Sequence, residues 1–95
     1  MGVVLQFPRA YADRRFTPEM RQTIFRFAQA APDVLPVIFD ADSDGVETCR
    51  LANGLVIGWD RWHRLVLTDT VSGFVDRGPF RSVDEVCMLI AYLAA

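Results

Sequence analysis

The sequence predicts an α+β fold in two layers, with an N-terminal helix, an antiparallel β-meander of three to five strands and a C-terminal helix (an αβββα-like order). Three observations predict it: helical periodicity over residues 17–31, short β-rich segments separated by turn residues up to residue 77, and a second helical pattern over 82–94. Ninety-five residues suit one domain. We assign it to residues 17–95, after an N-terminal segment, 1–16, that is either an edge strand or a docked tail.

The first helix is predicted over residues 17–31. Thr17 is a good N-cap residue, Pro18 suits the first helical position, and the charge of Glu19 stabilises the positive end of the helix. Pro32 disfavours helical geometry at the preceding residue and ends the helix. The predicted buried stripe comprises Met20, Ile24, Phe27, Ala28 and Ala31. The residues predicted to face away from it are Arg21, Gln22, Arg26 and Gln29.

The middle of the chain is predicted to be strand and turn. Its β-rich segments are VLPVIF, VETCRL, LVIGWD, RLVLTD and GFVDR. Pro36 suggests that the first of them is an edge strand, because proline cannot donate a ladder hydrogen bond. A three-residue loop at 52–54 with Gly54 left-handed sets Cys49 opposite Ile57, and a three-residue loop at 61–63 continues this register. The predicted buried face is then Cys49, Leu51, Leu55, Ile57, Trp59, Leu65 and Leu67.

The last helix is predicted over residues 82–94 and is apolar on nearly all sides. Ser82 and Glu85 have the spacing of a capping box. The predicted core stripe is Val83, Val86, Cys87, Ile90 and Leu93. The remaining apolar face, Met88, Leu89 and Tyr92, needs another cover. Since a contiguous patch of this kind is unusual on a monomer, we predict a homodimer through this face.

The composition excludes several classes of function. A net charge of −2 argues against a nucleic-acid partner, which normally requires a basic surplus. The longest apolar run is about ten residues, too short to span a bilayer, so no membrane association is predicted. No secretory signal is recognised, which predicts a cytoplasmic protein with reduced, packed Cys49 and Cys87. Ten basic residues that are all arginine favour a GC-rich bacterial or phage genome.

The stretch DADSDG begins like a calcium-binding EF-hand loop. Asp40, Asp42, Asp44 and Gly45 fit the first positions, but the position of the bidentate glutamate is occupied by Leu51. An acidic hairpin turn fits better, since aspartate and glycine form turns. No metal ligand or cofactor is therefore predicted. The negative charges that could meet a basic patch on a partner are Asp40, Asp42, Asp44 and Glu47.

The stretch GWDRWHR, residues 58–64, is the second candidate binding feature. Asp60 and Arg64 are predicted to pair beside a loop that carries Arg61, Trp62 and His63. Tryptophan and arginine are the residues most enriched at interface hot spots. The alternative is a structural Trp62 that folds over a sheet edge. A metal site at His63 is disfavoured, because no second histidine or reactive cysteine lies nearby in the sequence.

The sequence contains no nucleophile paired with a base and no phosphate-binding glycine loop, so no enzyme is predicted. The predicted element order is also that of double-stranded RNA-binding domains. Their second helix begins with a lysine cluster, whereas this one begins with Asp84 and Glu85, so that kinship is rejected. The leading hypothesis is a small protein-binding module, a regulator or inhibitor carried on a mobile element. A metal- or ligand-binding domain that uses residues 40–45 is the alternative.

Overall fold

The computed structural model describes residues 13–71, 73 and 75–94, and it has the predicted α+β architecture. Helix α1 spans Pro18–Ala30, and a 3-10 helix follows at Pro32–Val34. The strands are β1 (Ile38–Ala41), β2 (Glu47–Arg50), β3 (Leu55–Trp59), β4 (Leu65–Asp69) and β5 (Val75–Phe80). Helix α2 spans Val83–Ala94. The predicted edge strand or docked tail at the N-terminus lies almost entirely outside the described residues.

The five strands form one antiparallel sheet in the order β1-β2-β3-β4-β5, which is a simple meander. The predicted register is confirmed: Cys49 lies opposite Ile57, Ile57 opposite Leu67, and Trp59 opposite Leu65. Such a register puts the apolar residues on one face of the sheet. The edge position that Pro36 suggested agrees with the structure as well, since β1, which begins two residues after it, is an outer strand of the sheet formed by the described residues. No described helix is long and apolar enough to cross a membrane.

The hairpin between β2 and β3 depends on Gly54, which has the predicted positive φ, 85°. A side chain at this position would overlap Val71 in the β4–β5 connection. Thr70 contributes to the same contact, because its backbone N–H donates to the Gly54 carbonyl at 3.0 Å. Only glycine therefore satisfies both the turn and the close approach of the two connections.

Both helices cover the apolar face of the sheet. The core they enclose includes Ile24, Ala28, Cys49, Leu55, Ile57, Leu67, Val86, Cys87 and Ile90. Both cysteines are free thiols, and burial raises their pKa values to about 12 for Cys49 and about 11 for Cys87. Because the thiolate is the reactive form, these residues behave as small apolar core residues.

Both predicted N-cap residues accept a helix N–H, but of the predicted Ser82–Glu85 capping box only the Ser82 half is present. The Thr17 hydroxyl accepts from the Met20 N–H at 3.2 Å, and the Ser82 hydroxyl accepts from the Glu85 N–H at 3.4 Å. The Glu85 carboxylate forms an ion pair with Arg81 at 2.9 Å. Each cap satisfies a backbone donor that a helix leaves unpaired at its start.

Three sequence predictions about individual residues were wrong. Val34, predicted as the start of the first strand, ends the 3-10 helix and is buried there. Leu93, predicted in the core stripe of α2, is 41% exposed. Arg21, predicted to face away from the core side, is half-buried, with its guanidinium 4.5 Å from the centre of the Phe39 ring. A long side chain can bury its aliphatic stem and still keep its charge paired, which a helical period alone does not reveal.

Candidate functional site

The sheet topology brings the two predicted binding features to the same end of the molecule. Successive antiparallel strands alternate in direction, so the β1–β2 turn at 42–46 and the β3–β4 loop at 60–64 both lie at the same end of the sheet. We call this end of the sheet the hairpin end. Two strand spacings separate the two connections, which corresponds to about 10 Å. The acidic turn and the Trp62 loop therefore belong to one surface.

Asp60 holds the β3–β4 loop in a defined conformation. Its Oδ1 accepts from the backbone N–H groups of Trp62 and Arg64 at 2.8 and 2.9 Å. Its Oδ2 accepts from Arg64 Nε at 2.8 Å, which confirms the predicted Asp60–Arg64 pair. His63 has a positive φ of 61°, and its N–H donates to the Asp60 carbonyl at 3.0 Å. The carboxylate and the main chain of Asp60 together thus fix the whole loop.

Trp62 projects from this loop and is 59% exposed. The guanidinium carbons of Arg61 and Arg64 lie 5.1 and 4.9 Å from the centre of its ring, within the range of cation–π attraction. Arg64 is also paired with Asp60, whereas Arg61 has no ion-pair partner among the described residues. The loop consequently presents an aromatic ring beside one uncompensated positive charge. His63 is half-buried, and its positive φ and backbone hydrogen bond help to set the conformation of the loop.

Burial acts to raise the pKa of Asp60, but the hydrogen bonds from the Arg64 and Trp62 N–H groups and from the Arg64 side chain outweigh it. The net effect is a pKa below the ordinary value for aspartate. A carboxylate with a lowered pKa stabilises the folded loop fully above its unfolded-state pKa. This stabilisation is lost as the pH falls through the lowered value.

We therefore expect acid to loosen the Trp62 loop only as the pH falls through the lowered pKa of Asp60. The backbone N–H signals of Trp62 and Arg64, followed by NMR from neutral pH down to acid, should move together as Asp60 takes up a proton. In Asp60→Asn this transition should disappear, since asparagine does not titrate. A transition that persists unchanged in Asp60→Asn would assign it to another group.

The β1–β2 connection is an acidic turn of the predicted kind. Asp42 Oδ1 accepts from the N–H groups of Asp44 and Val46 at 2.9 and 3.0 Å. Gly45 has a φ of 79°, as its place in the turn requires. Asp40 lies in β1, where its carboxylate is paired with Arg50 at 2.6 Å. Asp42 and Asp44 are thus the exposed charges of the turn itself, and half of the Asp42 carboxylate is committed to the turn's own hydrogen bonds.

Glu47, which the sequence placed with these charges, has a different environment. Its side chain is only 19% exposed, with Oε2 2.7 Å from the Arg21 guanidinium. The other oxygen, Oε1, accepts from the Phe16 backbone N–H at 2.7 Å. The Glu47 carbonyl accepts from Trp59 Nε1, also at 2.7 Å. Glu47 therefore joins α1, β2 and β3, and its charge is compensated within the chain.

A third segment, residues 13–16, reaches the hairpin end next to the acidic turn. The Arg14 carbonyl accepts from the Glu47 N–H at 3.0 Å, and Arg15 Nε donates to the Gly45 carbonyl at 3.3 Å. Phe16 anchors the segment in the core against the rings of Phe39 and Trp59. The basic character of this segment is visible in the sequence, but its contacts across about thirty residues have no local signal.

The predicted self-association residues lie on α2, away from the hairpin loops. Met88 and Tyr92 are 71% and 77% exposed. Leu89 is half-buried and packs against the core. The described side chains include no group of three or more histidine, cysteine, aspartate or glutamate residues placed to hold a metal ion.

Comparison of the chain with protein-family descriptions, with curated proteins and with solved structures found no match.

Proposed function

We propose that this protein is a non-catalytic protein-binding module, a regulator or inhibitor that covers part of a partner's surface with its hairpin end. One observation carries the proposal: Trp62 is largely exposed, yet its loop is fixed by five hydrogen bonds to and from Asp60. An aromatic side chain on a rigid loop loses little conformational freedom on binding, which is how interface hot spots achieve their affinity.

The charges of the hairpin end indicate what the partner surface carries. Arg61 beside Trp62 favours a carboxylate at the rim of the pocket that receives the indole. Asp42 and Asp44, about 10 Å away at the same end of the sheet, favour a basic group on the partner. A partner with an apolar pocket between an acidic and a basic group would match both. Such complementarity mainly raises the association rate and the specificity.

The alternative, a small metal- or ligand-binding domain built on residues 40–45, has less support. Asp40 is paired with Arg50, and Asp42 uses one of its two oxygens in its own turn, so a metal ion would compete with existing contacts of two of the three aspartates. We place the module in the cytoplasm, where the buried thiols Cys49 and Cys87 remain reduced. We also propose that the protein is encoded on a bacterial or phage mobile element.

The test is a comparison of two exposed apolar residues at opposite ends of the sheet. Partners are isolated from the native host with the wild-type protein and identified, and affinities are then measured with purified proteins. Trp62→Ala should weaken binding by roughly 2 kcal/mol, about thirtyfold, because it removes the hot spot. Val71→Ala, which removes a side chain that is 77% exposed in the β4–β5 connection, should leave the affinity unchanged.

Both variants should keep their free energy of unfolding within about 0.5 kcal/mol of the wild type, since neither side chain is buried. A large loss of stability in Trp62→Ala would make Trp62 a structural residue. Equal affinities of wild type and Trp62→Ala for the identified partner would contradict binding through the hairpin end.

We further propose that the protein forms a homodimer through α2. The support is the exposure of Met88 and Tyr92, two large apolar side chains one helical turn apart on the same face. Leu89 contributes less, because it already packs against the core of its own chain.

A further inference from the structure

The two helices form a groove on the side of the molecule away from the sheet. It has a volume of about 460 Å³ and is lined by both helices. Phe27 and Cys87 form its apolar base and are half-buried and buried, respectively. Met88 stands on its rim with most of its side chain exposed. The groove thus combines an apolar base with an apolar side chain that has no cover.

Two opposite charges lie on the two walls of this groove. Arg26 belongs to the α1 wall and Asp84 to the α2 wall, and both are exposed. Within the described part of the chain, neither side chain has a hydrogen bond or an ion pair. Arg26 and Asp84 also lie at different positions along the length of the groove. Asp84 and Thr23 both border a second groove at the N-terminal ends of the helices, and Arg26 lies about one turn further along α1.

We propose that the occupant of this groove is a second copy of the chain, related by a two-fold axis that crosses the groove diagonally. The pattern is self-complementary, because Asp84 lies on the α2 wall near one end of the groove and Arg26 lies on the α1 wall about one turn further along. The diagonal two-fold brings Arg26 of each copy to Asp84 of the other, so that two ion pairs form at once. Each Met88 then enters the groove of the other copy, and Tyr92 covers its rim. This inference rests on the proposed self-association and specifies which residues of the two copies meet.

The charge pattern favours a second copy over an unrelated partner. In an isologous interface the same patch must supply both halves of every contact, and this patch supplies both the cation and the anion. Methionine is adaptable in shape and fills an apolar groove without demanding one fixed rotamer. The ion pairs set the orientation, because the reverse orientation would bring Arg26 towards Arg26 and Asp84 towards Asp84.

A charge-swap experiment tests the register. At micromolar concentration, sedimentation equilibrium of the full chain should give twice the monomer mass of 10.7 kDa. Arg26→Glu and Asp84→Arg, each alone, should raise the dimer dissociation constant roughly tenfold or more, because like charges then meet. The double variant Arg26→Glu/Asp84→Arg should restore the dimer, since each pair is re-formed with its signs exchanged. Restoration cannot arise from a folding defect.

Two further variants separate this inference from its alternatives. Met88→Glu should abolish the dimer, because a charge would be buried in the apolar groove of the other copy. Its circular dichroism spectrum should match that of the wild type, because Met88 is exposed in the single chain. Arg61→Glu makes the same charge change as Arg26→Glu at the hairpin end. It should leave the mass unchanged and weaken binding of the identified partner, so that failure of the dimer and failure of the partner surface are distinguishable.

A wild-type mass of 10.7 kDa would overturn the proposal. So would single variants that remain dimeric, or a folded double variant that remains monomeric. Loss of the dimer in Arg61→Glu would move the interface to the hairpin end.

Discussion

Replacing Glu47 by alanine is expected to lower the free energy of unfolding by about 2–3 kcal/mol. The substitution leaves the partly buried Phe16 N–H without its acceptor, at a cost of about 1–3 kcal/mol. It also removes the ion pair with Arg21, which is worth at most about 1 kcal/mol because the guanidinium side is 37% exposed. Urea denaturation followed by circular dichroism measures the difference.

Two matched variants make this result specific. Glu47→Gln keeps an acceptor for the Phe16 N–H and loses only the charge, so we expect a smaller loss, near 1 kcal/mol. Asp44→Ala removes a carboxylate from the same acidic stretch, but from a side chain that is exposed in the turn, and should change stability by less than about 0.5 kcal/mol. Equal effects of Glu47→Ala and Asp44→Ala would show that the acidic stretch is a single solvated surface.

Ile57→Ala should be more costly still, at about 3 kcal/mol. Ile57 lies in the central strand β3, has no exposed surface, and is flanked by Cys49 and Leu67 on the face that the helices cover. Its removal creates a cavity that neighbours on two strands cannot fill without moving the sheet backbone. Large-to-small core substitutions of this kind lose both burial and packing.

The neighbouring residue provides the control. Val56 precedes Ile57 in β3, points to the opposite face and is half-buried, so Val56→Ala should cost less than about 1 kcal/mol. Denaturation midpoints of both variants measure the difference. A larger effect for Val56→Ala would mean that the face of the sheet opposite α1 and α2 carries the main core.

The register of β2, β3 and β4 was predictable because it depends on local features. Loop lengths of three residues and the alternation of apolar residues leave one pairing that puts Cys49, Ile57 and Leu67 on a common face. The helix caps at Thr17 and Ser82 were predictable for the same reason, since a cap needs only residues within one turn.

The environments of Glu47 and Arg21 were not predictable from the pattern. Their contact joins residues 26 apart in sequence, and the contact of Glu47 with Phe16 spans 31. Composition alone places Glu47 with the aspartates of the acidic turn. Only the folded arrangement distinguishes a structural carboxylate from the exposed ones, because its partners come from α1 and from the segment before it.

The candidate site was predicted in its parts but not in its assembly. The Asp60–Arg64 pair and the exposed Trp62 follow from the loop sequence. The Trp62 loop and the acidic turn share one end of the sheet because two antiparallel strands, β2 and β3, lie between them, whereas the sequence left the total number of strands at three to five. The segment that carries Arg14 and Arg15 to this end had no sequence signal beyond its charge.

The placement of the two tryptophans gives the molecule two separate optical reporters. Trp59 is half-buried and donates its Nε1–H to a main-chain carbonyl. Trp62, three residues later, is largely exposed to solvent and lies against the guanidinium groups of Arg61 and Arg64. Unfolding changes the surroundings of Trp59, and occupation of the hairpin end changes those of Trp62. Indole fluorescence from single-tryptophan variants can therefore follow folding and partner capture as independent signals in the same small chain.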